Sequence, residues 1–391
     1  DTTVELLLSK GADVNAQGGE QYGNALQAAS YGGHDTTVEL LLSKGADVNA
    51  QGGDYGNALP AASVRGNYKI VELLLSKGAD VNAQGGEQYS NALQEASYGG
   101  HDKIVELLLS KGADVNAQGG GDHGNALQAA SMKGHDKIVE LLLSKGADVN
   151  AQGGGGDHGN ALQAASMKGH DKIVEVLLSK GADVNAQGGG DHGNALQAAS
   201  MRGHDKIVEL LLSKGADVNA QGGGYLGNAL QAASYGGHDK IVELLLSKGA
   251  DVNAQGGGDH CNALQAASYG GHDKIVELLL SKGADVNAQG GGYLGNALQA
   301  ASDGGHDRIV ELLLSKGADV NAQGGGDHGN ALQAASASGH DRIVEVLLSK
   351  GADVNAPGGH FGNALQLASA SGRDKIVELL LSKGAVQELG N

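Results

Sequence analysis

The chain has 391 residues, of which 68 are glycine and only 3% are aromatic, and its formal net charge is -18 at pH 7. This acidic balance argues against a nucleic-acid partner, because proteins contact phosphate backbones through clustered Lys and Arg. No apolar run approaches the ~20 residues that a membrane-spanning helix needs, and the single cysteine, Cys261, excludes an intrachain disulfide.

The phrase Gly-Asn-Ala-Leu-Gln-Ala-Ala-Ser recurs with small variations down the whole chain, and its spacing predicts the architecture. Its asparagine falls every 33 to 35 residues, at Asn24, Asn57, Asn91, Asn125, Asn160, Asn194, Asn228, Asn262, Asn296, Asn330 and Asn363. A fixed period of this length predicts a solenoid, in which each repeat buries its apolar face only against its neighbours. We therefore predict one array over residues 1–391 rather than the two or three domains that length alone would suggest.

The chain begins in the middle of a repeat. Residues 1–6 match residues 35–40, so residues 1–19 are predicted to be a partial first repeat, followed by about eleven repeats over residues 20–391. The last repeat is degenerate, because residues 384–389 break the pattern that ends the others. The start in mid-repeat predicts that the chain is a piece of a longer protein.

Each repeat opens with a predicted short helix, and residues 120–152 are a typical repeat. Asn125 and Gln128 have the spacing of a capping box, in which each side chain accepts a hydrogen bond from a backbone N–H at the helix start. The helix is predicted from residue 126 to about residue 132. Pro60 replaces the glutamine in the second full repeat, which the first helical turn tolerates but which costs that repeat its capping box.

A second helix is predicted after Gly134. Apolar residues within 137–145 recur at i, i+3 and i+4, which is the stripe that a buried helix face requires. Asp136 suits the positive end of the helix dipole, and Gly146 is a natural left-handed C-cap. Residues 147–152 and the glycines after them predict an extended, turn-rich connector that projects from the stack.

This repeat resembles an ankyrin repeat over essentially the whole chain. The matching residues are Gly134-His135, Ile138-Val139, Leu142-Leu143 and Gly146-Ala147-Asp148-Val149-Asn150. One departure is consistent: Asn-Ala-Leu-Gln stands where the family usually has Thr-Pro-Leu-His, so an Asn–Gln box is predicted to replace the family's Thr–His hydrogen bond. This variant, with its Gly-Gly-Gly loop and near-identical copies, is similar to ankyrin tracts at the C-terminal end of fungal NACHT-type immune-receptor-like proteins.

The resemblance implies an all-α solenoid of helix-turn-helix repeats with projecting β-turn or hairpin loops. It also implies a module that binds a protein or peptide ligand through the concave face of the array. By the same resemblance, the chain would be the sensor region of a fungal receptor that acts in nonself recognition.

The repeats differ from one another almost only at the loop tip before the asparagine and at the pair of residues that closes the first helix. The resemblance places both along the concave groove, and Tyr, Met and Arg are enriched at interfaces. Neutral drift is the alternative, but it would also vary exposed positions of the second helix, such as Ser144 and Lys145, which hardly change. The predicted ligand-binding residues are Tyr22, Tyr31, Tyr55, Arg65, Tyr89, Tyr98, His123, Met132, Lys133, His158, Met167, Lys168, His192, Met201, Arg202, Tyr225, Tyr235, His260, Tyr269, Tyr293, Asp303 and His328.

The middle repeats are basic. The pairs that close their first helices are Met132-Lys133, Met167-Lys168 and Met201-Arg202. A peptide or protein with acidic and apolar features is therefore predicted to lie along the middle of the groove.

Motifs that would indicate chemistry are better explained by the repeat. Residues 119–124 satisfy the Gly-x-Gly-x-x-Gly of dinucleotide sites, but a turn-rich connector precedes them instead of a strand. The Asp-His loop tips of neighbouring repeats should be ~10 Å apart, too far to share a zinc ion whose ligands lie at about 2 Å. The histidine between the helices, such as His135, is interpreted as a structural turn residue, and Cys261 as a chance substitution. No catalytic residue, metal or cofactor is predicted, and the chain is not expected to be an enzyme.

Two alternatives to ligand recognition stay open. Exposed apolar ends could stack head to tail into a filament, because a heterologous contact that does not close into a ring propagates. The other alternative is a spacer or scaffold without a ligand of its own. For each reading we expect a reducing, cytoplasmic compartment with no membrane or nucleic-acid contact.

Overall fold

The computed structural model describes residues 2–19, 22–86, 91–119, 124–153, 159–188, 193–222, 227–256, 262–290, 295–324, 329–358 and 362–386. Within these ranges there are 23 α-helices and no strand, which confirms the predicted all-α class. The chain divides into two compact units, the N-terminal unit Asp1–Gly190 and the C-terminal unit Asp191–Asn391. One continuous array over the whole chain stays a prediction.

Both units alternate a first and a second helix in each repeat. In the N-terminal unit the helices are α1 (Thr2–Ser9), α2 (Ala25–Gly32), α3 (Asp35–Ser43), α4 (Ala58–Val64), α5 (Tyr68–Ser76), α6 (Ala92–Gly99), α7 (Asp102–Ser110), α8 (Ala126–Lys133), α9 (Asp136–Ser144), α10 (Ala161–Lys168) and α11 (Asp171–Ser179). In the C-terminal unit they are α12 (Ala195–Arg202), α13 (Asp205–Ser213), α14 (Ala229–Gly236), α15 (Asp239–Ser247), α16 (Ala263–Gly270), α17 (Asp273–Ser281), α18 (Ala297–Asp303), α19 (Asp307–Ser315), α20 (Ala331–Ser338), α21 (Asp341–Ser349), α22 (Ala364–Ala370) and α23 (Asp374–Ser382). Even numbers mark the first helices of the repeats, and odd numbers mark the second helices.

The first helices begin where the sequence places its signals. Asn125 Oδ1 accepts a hydrogen bond from the Gln128 N–H at 2.9 Å, and Gln128 Oε1 accepts one from the Asn125 N–H at 2.8 Å. This predicted capping box is confirmed in ten of the eleven described first helices. The left-handed Gly134, with φ 81°, ends α8 at Lys133, one residue beyond the predicted end.

The exception is α4, where Pro60 occupies the position of the glutamine. Proline has no N–H to donate, so Asn57 Oδ1 accepts from the Leu59 N–H instead, at 3.0 Å. The helix is kept, but the reciprocal half of the box is lost, as predicted.

We expect Pro60→Gln to raise the free energy of unfolding by about 1 kcal/mol, because the new side chain completes the box and reaches the next repeat. Thermal and urea denaturation of the whole chain would measure this gain. Pro60→Ala is the control, since it restores the backbone N–H without supplying an amide. A gain of the same size in the alanine variant would contradict a role for the side-chain amide.

The second helices bury one stripe and expose the other. In α9 the side chains of Ile138, Val139 and Leu142 are fully buried, whereas Lys137 and Glu140 are exposed. The helix begins and ends one residue earlier than the predicted range. Each such aliphatic side chain contributes about 1.5–3 kcal/mol before the entropy of ordering is subtracted.

The two helical layers are packed unequally within each unit. First helices of adjacent repeats pack closely, and second helices pack loosely. Small residues are the reason, because Ala129, Ala130 and Ser131 are buried between first helices and let their backbones approach. The side formed by the first helices is called the inner face below, and the side formed by the second helices is called the outer face.

The capping glutamine also links each repeat to the next. Gln94 Nε2 donates hydrogen bonds to the carbonyl oxygens of Ala117, at 2.9 Å, and Gly124, at 3.0 Å. Gln27 and Gln265 make equivalent bonds. One buried amide therefore caps its own helix with its oxygen and holds the following loop with its nitrogen.

The histidine between the helices contacts the preceding repeat. His135 Nε2 lies 3.1 Å from the carbonyl oxygen of Tyr98, and because a carbonyl can only accept, Nε2 carries the proton. The same contact recurs at His101, His170, His238, His272, His306 and His340. Asn67 takes over the role, with Nδ2 donating to Ser30 O at 2.7 Å. The structural interpretation of this histidine is confirmed.

The Gly-Ala-Asp-Val-Asn segment forms a third link between repeats. Asn116 Nδ2 donates to Gly146 O at 3.2 Å, and Asn116 Oδ1 accepts from the Asp148 N–H at 2.8 Å. Asp148 Oδ1 in turn accepts from the Asn150 N–H at 2.9 Å, which fixes the next asparagine. These residues were predicted to project from the stack, but the bonds tie them to it, because the asparagine supplies both a donor and an acceptor to its neighbour.

Candidate ligand-binding surface

The inner face of each unit presents the C-terminal ends of the first helices. In α8 the end consists of Met132, which is half-buried, and Lys133, which is exposed. A helix of eight residues rises about 12 Å, so these ends lie about that far from the loop side, where the helix starts. The helix ends form a row that crosses from repeat to repeat.

An aromatic cluster occupies the first repeats of the N-terminal unit. The ring centroids of Tyr22 and Tyr31 are 5.6 Å apart, and those of Tyr31 and Tyr55 are 4.9 Å apart. The Arg65 guanidinium carbon lies 5.0 Å from the centroid of Tyr31, a cation–π contact. The structure thus brings together four predicted site residues, although Tyr55 is only 6% exposed and offers a ligand little surface.

Two further cations lie on the inner face of the N-terminal unit. Lys133 Nζ is 4.2 Å from the ring centroid of Tyr98 in the preceding repeat. Lys168 is exposed at the end of α10. Met167, the other predicted site residue of that pair, is 4% exposed and packs into the core. In this unit the pair that closes the first helix therefore presents aromatic rings and cations, but no carboxylate.

The C-terminal unit has a different inner face. Tyr235 and Tyr269 stack with their ring planes 10° apart and their centroids 6.5 Å apart. Arg202 is exposed at the end of α12, beside the half-buried Met201. Asp303 Oδ1 accepts a hydrogen bond from Ser338 Oγ at 2.7 Å. Ser338 was not among the predicted site residues, although its place at the end of α20 could have indicated it.

Some charges on the outer face pair between repeats. Lys172 Nζ lies 3.1 Å from Asp136 Oδ2, and a hydrogen bond with that carboxylate raises the pKa of Lys172. Arg342 contacts Asp307 and Glu311 in the same way. Such exposed pairs contribute little to stability.

Eight predicted site residues lie outside the described residues. They are Tyr89, His123, His158, His192, Tyr225, His260, Tyr293 and His328. Cys261 and most residues of the Gly-x-Gly-x-x-Gly segment also fall there. The role of the loop tips in binding therefore stays a prediction.

A metal site and a membrane-spanning helix are both absent from the described part of the chain. It contains no group of three or more His, Cys, Asp or Glu residues that could hold a metal ion. None of its helices combines the length and apolarity needed to cross a membrane.

Comparison with known proteins agrees with this geometry. A family model described as "Ankyrin repeats (3 copies)" matches residues 1–85, 61–153, 93–188, 152–222, 223–290 and 297–390. No individual curated protein was found to match the sequence.

Proposed function

Because the chain belongs to the ankyrin repeat family, we propose that it is a recognition module that binds a protein or peptide ligand through the inner face. Ankyrin repeats generally act as protein–protein interaction modules, and proteins built from them are typically not enzymes.

One observation carries the proposal: the described side chains that vary most between repeats, at the ends of the first helices, lie on the inner face, while those that link repeats hardly vary. The end of the first helix reads Tyr31 in one repeat, Met132 in another and Asp303 in a third. The glutamine, histidine and asparagine links keep their residue types in nearly every repeat. Conserved links with a variable face are what a modular binding surface requires, since each repeat can change its contact without disturbing its neighbours.

The near-identical repeats support a more specific role as the sensor region of a fungal NACHT-type receptor that acts in nonself recognition in the cytoplasm. Adjacent repeats within each unit are joined by the same kinds of hydrogen bond. Whole repeats could then be gained or lost while the interface between neighbouring repeats stays the same. Such an array suits a repertoire of recognition surfaces.

We expect peptides selected from a displayed random library against the whole chain to bind the inner face. Bound peptides should protect the backbone amides of the first helices from hydrogen exchange, because those helices carry the varied side chains. For peptides that protect the first helices of the N-terminal unit, Tyr98→Ala together with Lys168→Ala should weaken binding at least about tenfold, which corresponds to 1.4 kcal/mol. Exchange mass spectrometry and fluorescence anisotropy would measure the two effects.

Lys137→Ala is the matched control, since Lys137 is an exposed cation on the outer face. It should leave the affinity unchanged. Selected peptides that protect only second helices, or whose affinity falls as much with Lys137→Ala as with the Tyr98 and Lys168 double variant, would place the ligand elsewhere and refute the proposal.

End-to-end self-assembly is the second candidate, and exposed apolar side chains favour it. Leu6 and Leu7 of α1 are 58% and 56% exposed, and Leu381 of α23 is 52% exposed. Sedimentation velocity over a range of concentrations would separate the two functions for this chain. Rods that lengthen with concentration favour assembly, whereas a single species of monomer mass counts against it.

A further inference from the structure

Three cations stand in a row on the inner face of the N-terminal unit. They are Arg65, Lys133 and Lys168, which close the first helices of the second, fourth and fifth full repeats. Among the described residues none of them forms an ion pair with a carboxylate, unlike Lys172 and Arg342 on the outer face. In a chain of net charge -18, the ends of these first helices carry three cations and no carboxylate.

We propose that the N-terminal unit binds an acidic peptide in polyproline II conformation, with carboxylates at every third residue facing Lys133 and Lys168. A third carboxylate, six residues along the peptide from the one that faces Lys133, faces Arg65. The residue midway between these two carboxylates faces Tyr98 and is uncharged. This inference rests on the proposed function and names the chemistry of the ligand.

The spacing of the row selects this conformation. Neighbouring first helices that pack directly, such as α8 and α10, have axes about 8–10 Å apart. A polyproline II helix rises about 3.1 Å per residue with three residues per turn, so side chains three apart share one face at about 9 Å. Residues three apart along such a peptide therefore match one repeat each. In a β-strand, side chains three apart point to opposite faces and would not match.

Charge distribution fixes where the peptide lies across the face. The cations are at the ends of the first helices, whereas Asp54 is in the loop that precedes α4, about one helix length away. Asp122 and Asp157 occupy corresponding loop positions in the sequence, outside the described residues. A carboxylate-bearing ligand is repelled from the loop side and attracted to the helix ends, which holds it along the row.

Aromatic neighbours make two of the cations suitable anchors. Arg65 lies over Tyr31 and Lys133 over Tyr98, so both cations have a preferred position before a ligand arrives. Less side-chain freedom is then lost when a carboxylate binds. Charge-assisted hydrogen bonds from Arg and Lys to a carboxylate are stronger than neutral ones.

The test uses the whole chain and labelled synthetic peptides in fluorescence anisotropy. The probe is a short proline- and alanine-based peptide with Glu at its first, seventh and tenth positions and Leu at its fourth, tested with its reversed sequence. A comparison peptide has the same composition, with its three Glu residues adjacent. We expect one of the two spaced peptides to bind at least about fivefold more tightly than the clustered peptide, a difference of about 1 kcal/mol.

Variants locate the binding site. Lys133→Gln combined with Lys168→Gln should weaken binding of the spaced peptide at least about tenfold. Lys103→Gln with Lys137→Gln is the matched control, because it removes the same charge from exposed positions of the second helices. The control should bind as the unchanged chain does.

Equal affinity for the spaced and clustered peptides, or an equal loss of affinity in both double variants, would show attraction by overall charge and overturn the inference. Tighter binding of single-stranded DNA than of any peptide would overturn it as well. If library-selected peptides protect the first helices but the spaced acidic peptides do not bind, this inference fails and the proposed function stands. If no selected peptide protects the first helices, the proposed function itself fails.

Discussion

Leu142→Ala is expected to lower the free energy of unfolding by about 2–5 kcal/mol, the range for truncating a buried leucine. Leu142 is 0% exposed in α9, whose neighbours in the outer layer are α7 and α11. A repeat contacts only its nearest neighbours, so one cavity weakens two interfaces and leaves distant ones intact. We therefore expect urea denaturation to separate into more than one transition, and hydrogen exchange to accelerate first in α7, α9 and α11.

Leu143→Ala is the matched control. It is the same chemical change one residue further along the same helix, at a half-buried position. Its cost should be less than half that of Leu142→Ala, because less apolar surface and a smaller cavity are involved. Equal costs for the two variants, or one cooperative transition that shifts without separating, would contradict nearest-neighbour stabilisation.

What the sequence predicted were interactions between residues that are close in the chain. The Asn125–Gln128 capping box joins positions three residues apart, and the left-handed Gly134 acts on the helix that it follows. Both depend on local backbone geometry alone, which residue type largely determines. The bonds of Gln94 to Ala117 and Gly124 span 23 and 30 residues. They depend on how closely repeats stack, which no local pattern encodes.

On the inner face, too, the sequence predicted what depends on one repeat and not what depends on how repeats pack together. Comparing repeats with one another located Tyr31 and Arg65, because varied positions are those free of a common packing constraint. The comparison could not show that Tyr55 and Met167 are buried, since exposure depends on the side chains of neighbouring repeats. Met132 occupies the same place in its repeat as Met167, yet it is half-buried. Identity between repeats thus predicts the backbone of a site better than its accessible surface.

Gln265→Glu should separate the two roles of the conserved glutamine. The side chain is 1% exposed, its Oε1 accepts from the Asn262 N–H at 3.1 Å, and its Nε2 donates to Gly295 O at 2.6 Å and Ala288 O at 3.5 Å. Glutamate keeps the capping acceptor but loses the donor, and its carboxylate faces two carbonyl oxygens. We expect a loss of about 2–4 kcal/mol in the free energy of unfolding at pH 7, since a buried charge is left without a donor on that side.

The pH dependence of this variant distinguishes charge from a lost cap. Burial and the two carbonyl oxygens disfavour the charged form, so the pKa of the introduced carboxyl should be higher in the folded state than its unfolded value of about 4.3. The protonated carboxyl can donate to a carbonyl oxygen, so this contribution to stability is fully present below about pH 4.3 and is lost as pH rises through the folded pKa. The free energy of unfolding of Gln265→Glu, relative to the unchanged chain, should therefore recover as pH falls. That of Gln265→Ala should not, because alanine lacks the cap and the link to the next repeat at every pH. Urea denaturation at several pH values would measure both differences. If the free energies of unfolding of the two variants depend on pH in the same way, the glutamine acts only as a cap, and its link between repeats does not contribute to stability.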